Sequence, residues 1–254
     1  MQYFASKDSI VREIWGKADT ILFIFAGSAA EFALNKAVDW LYFTGKLPAD
    51  PLGRLFSTVE YARRIIFADL DGANQAIDQI TAIHQGVETS RGATIPDWAY
   101  RDVLFMLIGY SISSYEALER KLTDAEKAEV FDVFYRVGVR MGLTGLPLTY
   151  PDWLMARQSH LNNNLIKSHY TTDLFKQYRK HLGLIRYLLL RQVQAIVSPT
   201  RVKKLLGLPE IAMAMPALWL YKQSRKIKLG HALRDAMLPA KFKTQIKALD
   251  KVQL

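Results

Sequence analysis

Four residues on one segment have side chains that could hold a small ligand. Residues 50–67 read DPLGRLFSTVEYARRIIF, and at helical spacing Arg54, Thr58 and Tyr61 share one face, which Ser57 flanks. Arg54 presents several donors in a planar fork, and the Thr58 hydroxyl can donate or accept. This group could grip a carboxylate, dioxygen or a substrate oxygen. Alternatively, Arg54 is satisfied by neighbouring hydroxyl and carbonyl groups.

His84 lies on an apolar helical face some thirty residues later. Its neighbours on that face recur at intervals of three and four: Ala73, Ile77, Ile80 and Val87. A charged imidazolium would be costly there. Either both ring nitrogens of His84 find hydrogen-bond partners in a protein core, or one of them is a ligand to a bound group. None of the five histidines has an i,i+4 histidine partner and no Glu-x-x-His occurs, which argues against zincin and di-iron sites. A haem site stays possible, because haem needs only one axial histidine.

The elements that position these residues read as helices almost throughout. Thr123-Asp-Ala-Glu126 is a capping box, and Asp50-Pro51 is a cap followed by a proline. The pattern predicts helices near 7–18, 20–44, 51–68, 71–87, 97–120, 124–142, 150–164, 171–197 and 200–206, with two more in the tail. We expect a single all-α domain, in which a core of about 7–165 carries a basic helical portion of about 166–254.

Charge is distributed unevenly along the 254 residues. Residues 1–150 carry 15 Lys and Arg against 19 Asp and Glu, whereas residues 151–254 carry 19 against 5. The C-terminal portion could therefore face an anionic ligand, partner or lipid surface, or simply be a solvated basic surface. The segment ALWLYKQSRKIK joins an apolar aromatic stretch to a basic one, as a membrane-surface helix would. No nucleic-acid-binding signature accompanies the charge, so we expect no nucleic-acid partner.

Composition excludes several classes of protein. The chain has no cysteine, so disulfides, Cys-ligated zinc and a cysteine nucleophile are excluded. No signal peptide is recognisable, and the longest uncharged runs are shorter than the ~18 residues that a membrane span needs. We expect a cytoplasmic protein. Its basic C-terminal portion could make peripheral contact with an anionic membrane.

The order of several elements resembles a known family. These elements are DPLGRLFSTVEYARRIIFADLDGA, IHQGV, SSYEAL, EVFDVFYRVGVRMGL and LPLTYPDW, which together span residues 50 to about 151. In order and spacing they resemble the family of the latex clearing protein (rubber oxygenase) and the MpaB-type ER-bound oxygenases. The resemblance implies a globin-like helical bundle around a haem b pocket, with His84 as the proximal iron ligand and Arg54 and Thr58 on the distal helix.

The resemblance also implies an activity, namely a haem-dependent oxygenase that uses dioxygen to oxidise or cleave an apolar, lipid- or isoprenoid-like substrate. Ser57 or Tyr61 would assist Arg54 and Thr58. Rubber-cleaving members have a lysine just before the threonine, where this chain has Ser57. Neither Glu31 nor Asp39 aligns with the glutamate proposed as base in those members. A non-catalytic haem-binding protein and a membrane-surface lipid-binding helical protein are the alternatives.

Overall fold

The protein is all-α, as the sequence predicts. The computed structural model describes residues 2–45, 49–210 and 215–226, and within these ranges only two isolated bridge pairs depart from helix and loop. The helices are α1 (Ile10–Trp15), α2 (Ala18–Phe32), α3 (Asp39–Phe43), α4 (Pro51–Phe67), α5 (Leu70–Arg91), α6 (Asp97–Leu118), α7 (Asp124–Arg140), α8 (Tyr150–Asn163), α9 (His169–Val197), α10 (Thr200–Leu206) and α11 (Met215–Lys226). The tail beyond residue 226, with part of the predicted last helices, lies outside the described residues.

Two predicted helices are wrong in extent. The helix predicted over 20–44 ends at Phe32, because Asn35 redirects the chain: its Oδ1 accepts from the Ala37 amide at 2.8 Å, and it pairs with Leu165 as an isolated bridge. The helix predicted over 171–197 is broken inside α9 at Gly183, whose φ of 73° and ψ of 170° are not helical. The apolar pattern continues past both points in the sequence. A contact with a distant residue ends the first helix, and a glycine interrupts the second.

Helix α2 contacts several helices of the bundle, and its contact with α6 is the most extensive between any two of the described helices. The close approach depends on Gly27, since a Cβ there would come within 2.2 Å of the Tyr110 ring. Trp15 Nε1 also donates to Ser111 Oγ of α6 at 3.1 Å. Glycine at a helix crossing lets two backbones approach more closely than any side chain would allow. The packing therefore brings the buried polar side chains of α2 and α6 into contact.

Helices α4 and α5 form an antiparallel hairpin around a short turn at Ala68–Asp69. Asp50 caps α4 by accepting from Gly53 N at 3.0 Å, and Asp69 caps α5 by accepting from Gly72 N at 2.8 Å. Each carboxylate satisfies an amide that has no partner within its own helix. Arg54 and His84 each lie fifteen positions from Asp69, so the hairpin sets them at the same level of the two helices.

The C-terminal helices pack on this framework. Helices α9 and α10 contact α2, and α11 is tied to the end of α6, where Lys222 Nζ donates to Ala117 O at 3.2 Å and Arg225 Nη2 lies 2.6 Å from Glu119 Oε1. No helix among the described residues is both long and apolar enough to cross a membrane.

Candidate functional site

The polar side chains of α4 form hydrogen bonds with one another and with the backbone of the same helix. Arg54 Nη1 donates to Ser57 Oγ at 3.2 Å, and Ser57 Oγ donates to Arg54 O at 2.8 Å. Thr58 Oγ1 donates to the same carbonyl at 3.2 Å. Ser57 Oγ thus both donates and accepts within α4, whereas Thr58 Oγ1 only donates and can accept a hydrogen bond from a ligand without changing its rotamer.

Arg54 carries a charge that no described carboxylate balances. Its guanidinium is largely shielded from solvent and forms no salt bridge with the described residues. Burial lowers the pKa of Arg54, an effect that the nearby Tyr61 partly opposes. A cation held out of water without a counter-charge is costly, so this position favours an anionic group of a ligand.

His84 faces Arg54 across the α4–α5 hairpin as a neutral imidazole. Burial lowers the pKa of His84 to about 4, the Arg54 charge adds to that effect, and Glu88 opposes it. Its Nδ1 is buried and has no hydrogen-bond partner among the described residues. The Tyr100 ring packs against the imidazole edge to face, with ring centroids 5.1 Å apart. A neutral imidazole with an unsatisfied nitrogen is the state that binds a metal ion.

These residues meet at one cavity of about 280 Å³. Four of the five predicted site residues line it, namely Arg54, Thr58, Tyr61 and His84. Ser57 does not line it and is connected to the site through its hydrogen bond with Arg54. The remaining walls are mostly aliphatic and aromatic and include Phe25, Phe32, Ile65, Ile80, Val103, Leu107 and Met141. Ligand pockets of about 300–1,000 Å³ with apolar walls and a few polar groups are typical of small-molecule and cofactor sites.

Sequence reasoning missed two polar groups on the α2 side of the cavity. Ser28 lines it, and its buried Oγ has no hydrogen-bond partner among the described residues. Asn35 also lines the cavity, and its Nδ2 donates to Asp102 Oδ2 at 3.2 Å. Ser28 stands in an apolar helix with no local motif around it, so no sequence signal marks it.

Neither carboxylate considered as a base lines the cavity. Glu31 is fully buried and accepts from Arg157 through both guanidinium nitrogens, with Nη2 at 2.6 Å, from His160 Nε2 at 2.8 Å and from Tyr110 at 2.9 Å. Asp39 instead lies 2.7 Å from Arg91 Nη2. Both carboxylates therefore have structural ion-pair partners.

The buried cluster around Glu31 extends to a second carboxylate. His160 Nδ1 lies 2.6 Å from Asp102 Oδ1, and these interactions with Asp102 and Glu31 raise the pKa of His160 although burial opposes the rise. Asn164 Nδ2 also donates to Asp102, at 2.9 Å. Two carboxylates thus face Arg157 and His160, and their charges favour the protonated form of His160. Among the described residues, no group of three or more His, Asp or Glu side chains could hold a metal ion.

Comparison with known proteins identifies the family. Residues 15–225 match the family described as ER-bound oxygenase mpaB/B'/Rubber oxygenase, catalytic domain. The match covers most of the chain, and the protein therefore belongs to this family of oxygenase catalytic domains. No curated protein and no solved structure gives a significant match to the chain.

Proposed function

We propose that this protein is a haem-dependent oxygenase that acts on an apolar substrate. The observation that carries the proposal is the neutral His84, whose Nδ1 has no partner among the described residues, beside Arg54, whose charge no described carboxylate balances, at one largely apolar cavity. An oxygenase catalytic domain needs a group that activates dioxygen, and amino-acid side chains alone do not supply that chemistry.

The residues at the cavity fit haem b in their chemistry. His84 would hold the iron, and Arg54 would pair with a propionate or orient a polar oxygen. Haem iron, when bound, supplies the electron transfer that dioxygen chemistry requires. The protein would contribute the uncharged imidazole, a fixed cation and an environment from which water is excluded.

The other polar groups at the cavity can each form hydrogen bonds with a ligand. Thr58 already donates to Arg54 O, so it offers lone pairs to a donor in the cavity. Tyr61 brings a phenol to the same wall, and Ser28 brings a hydroxyl on the α2 side. The aliphatic and aromatic walls favour an apolar substrate, since they offer burial of apolar surface and few hydrogen bonds.

The absorption spectrum of the protein after haem reconstitution tests the proposal, with His84→Ala beside it. We expect a Soret band in the wild type that is lost or strongly shifted in His84→Ala. His181→Ala is the matched control, because His181 is exposed on α9 and does not line the cavity. This variant should keep the wild-type spectrum.

Oxygen uptake with candidate apolar substrates then separates the alternatives. Uptake that depends on His84 and substrate supports the oxygenase. A wild-type Soret band without oxygen uptake would instead indicate a non-catalytic haem-binding protein. A protein that stays colourless after reconstitution would refute haem dependence altogether and leave a lipid-binding helical protein as the remaining alternative.

A further inference from the structure

Helix α9 is a helical hairpin rather than one long rod. The Arg191 guanidinium lies 4.9 Å from the centroid of the Phe175 ring. Sixteen residues of continuous α-helix would separate these two positions by about 24 Å. The chain must therefore fold back on itself between them, and Gly183, midway along the interval, has the non-helical φ of 73° that makes this possible.

Both legs of the hairpin are fastened to α2. On the first leg Thr171 Oγ1 donates to Ala33 O at 2.7 Å, and on the second Gln194 Nε2 donates to Ala26 O at 3.2 Å. These anchors lie near the open ends of the legs. The turn at Gly183 is consequently the end of the hairpin that is farthest from its anchors, and we call residues 179–188 the hairpin tip.

The hairpin tip exposes a compact apolar patch. Leu184, Ile185 and Leu188 are 56%, 76% and 53% exposed, and their spacing places them on neighbouring positions of one helix face. Single exposed aliphatic residues are ordinary, but three together at a helical turn mark an interaction surface.

The charged residues that flank the tip along the chain are all basic. Arg179 and Lys180 are exposed beside the patch, and between residues 174 and 209 the sequence has eight Lys and Arg and no Asp or Glu. Residues 227–254 also carry more basic than acidic groups, so like-charge repulsion disfavours them as a cover for the tip. An anionic partner with an apolar interior matches both features, and a nucleic acid matches only the charge.

We propose that the hairpin tip docks this protein on an anionic lipid bilayer, with Leu184, Ile185 and Leu188 entering the headgroup–acyl boundary. This assignment differs from the sequence expectation for ALWLYKQSRKIK. Within α11, Leu218 is buried, and Lys222 and Arg225 are bound to the end of α6. Lys222 and Arg225 therefore serve the bundle, whereas Arg179 and Lys180 of the tip form no ion pair with the described residues.

The hairpin also connects the bilayer with the cavity. Tyr178, five positions before Gly183, is buried and lines the cavity, so the membrane-facing tip and a cavity wall belong to one hairpin. Docking would bring apolar molecules dissolved in the bilayer close to the site. The docking itself requires no haem, so its failure and the failure of the proposed activity are separately observable.

Vesicle co-sedimentation of the full chain tests the proposal, with vesicles of phosphatidylcholine alone or mixed with phosphatidylglycerol. We expect binding to the mixed vesicles only, weakening as salt rises. The triple variant Leu184→Ser/Ile185→Ser/Leu188→Ser keeps every charge and should reduce vesicle partitioning about tenfold or more. Leu148→Ser is the matched control, because Leu148 is 73% exposed outside α9 and should bind like the wild type.

Two further variants keep the test decisive. Arg179→Glu/Lys180→Glu should also lose binding to the mixed vesicles, and it leaves the apolar residues intact if the triple variant folds poorly. Trp219→Ser/Leu220→Ser removes the exposed apolar residues of α11 and should leave binding unchanged.

Several outcomes would overturn the assignment. One is vesicle binding that survives both tip variants, and another is binding that only the α11 variant abolishes. A dimer that the triple variant dissociates, without any vesicle binding by the wild type, would make the tip a self-association surface. Salt-sensitive binding to duplex DNA without binding to vesicles would make it a nucleic-acid surface.

Discussion

Replacing Glu31 by glutamine should destabilise the protein strongly, although the substitution changes the side chain's shape very little. Glu31 is 0% exposed and accepts four hydrogen bonds, two from Arg157 and one each from His160 and Tyr110. Glutamine has one acceptor oxygen, and its amide group would face the donors of Arg157 or His160. The variant therefore leaves a buried guanidinium without its partner.

The expected cost follows from that geometry. Breaking a buried ion pair from one side costs about 3–5 kcal/mol, because the other charge stays buried without compensation. For a chain of this size each kcal/mol shifts the melting temperature by roughly 2–4 °C, so Glu31→Gln should melt about 6–20 °C lower. Urea unfolding monitored by circular dichroism at pH 7 measures the free energy directly.

The double variant Glu31→Gln/Arg157→Met isolates the pair. Removing both charges should cost less than the sum of the single changes, with a coupling of about 0.5–3 kcal/mol. Glu60→Gln is the matched control, since Glu60 is exposed on α4 and should change stability by only about 0.5 kcal/mol or less. A loss below about 1 kcal/mol for Glu31→Gln would refute the view that the ion pair is an essential part of this core.

Two further predictions concern the same packed centre. The folded state raises the pKa of His160 above its ordinary 6.5, so the stability that His160 contributes is complete below pH 6.5 and is lost as pH rises through the folded value. His84 titrates near pH 6.5 in the unfolded chain of both proteins, so the comparison is the difference between them: from pH 6.5 to about 9 the unfolding free energy of the wild type should fall relative to that of His160→Gln, and parallel profiles would contradict the assignment. Gly27→Ala should cost about 1–3 kcal/mol, because its Cβ would overlap the buried Tyr110 ring. Gly86→Ala meets no atom within 4 Å inside α5 and should stabilise the protein by about 0.5–1 kcal/mol, so equal effects of the two glycine changes in thermal melts would contradict the close-packing argument.

Much of the candidate site follows from local sequence. Asp50 and Asp69 cap their helices through hydrogen bonds that span three residues, and such bonds depend on nothing distant. Helical spacing then gathers Arg54 and Thr58 on one face, and the short turn at Asp69 sets His84 opposite them. A sequence with these signals folds into this hairpin largely because each determining contact lies within the hairpin itself.

The role of Glu31 required the tertiary structure. The sequence assigned no role to Glu31, because its partners Arg157 and His160 come from α8, more than a hundred residues away. Nothing in the local pattern records that pairing, because it exists only when α2, α6 and α8 pack together. The burial of Ser28 Oγ at the cavity has the same origin.

The shape of α9 shows the same division between local and long-range causes. The sequence determined that residues on both sides of Gly183 are helical, through apolar periodicity. It did not determine whether the helix continues through the glycine, since glycine tolerates both helical and left-handed backbone. The packing of both legs on α2, which buries Leu174 and Ala195, decided in favour of the hairpin, because a straight helix would leave one of these faces in water.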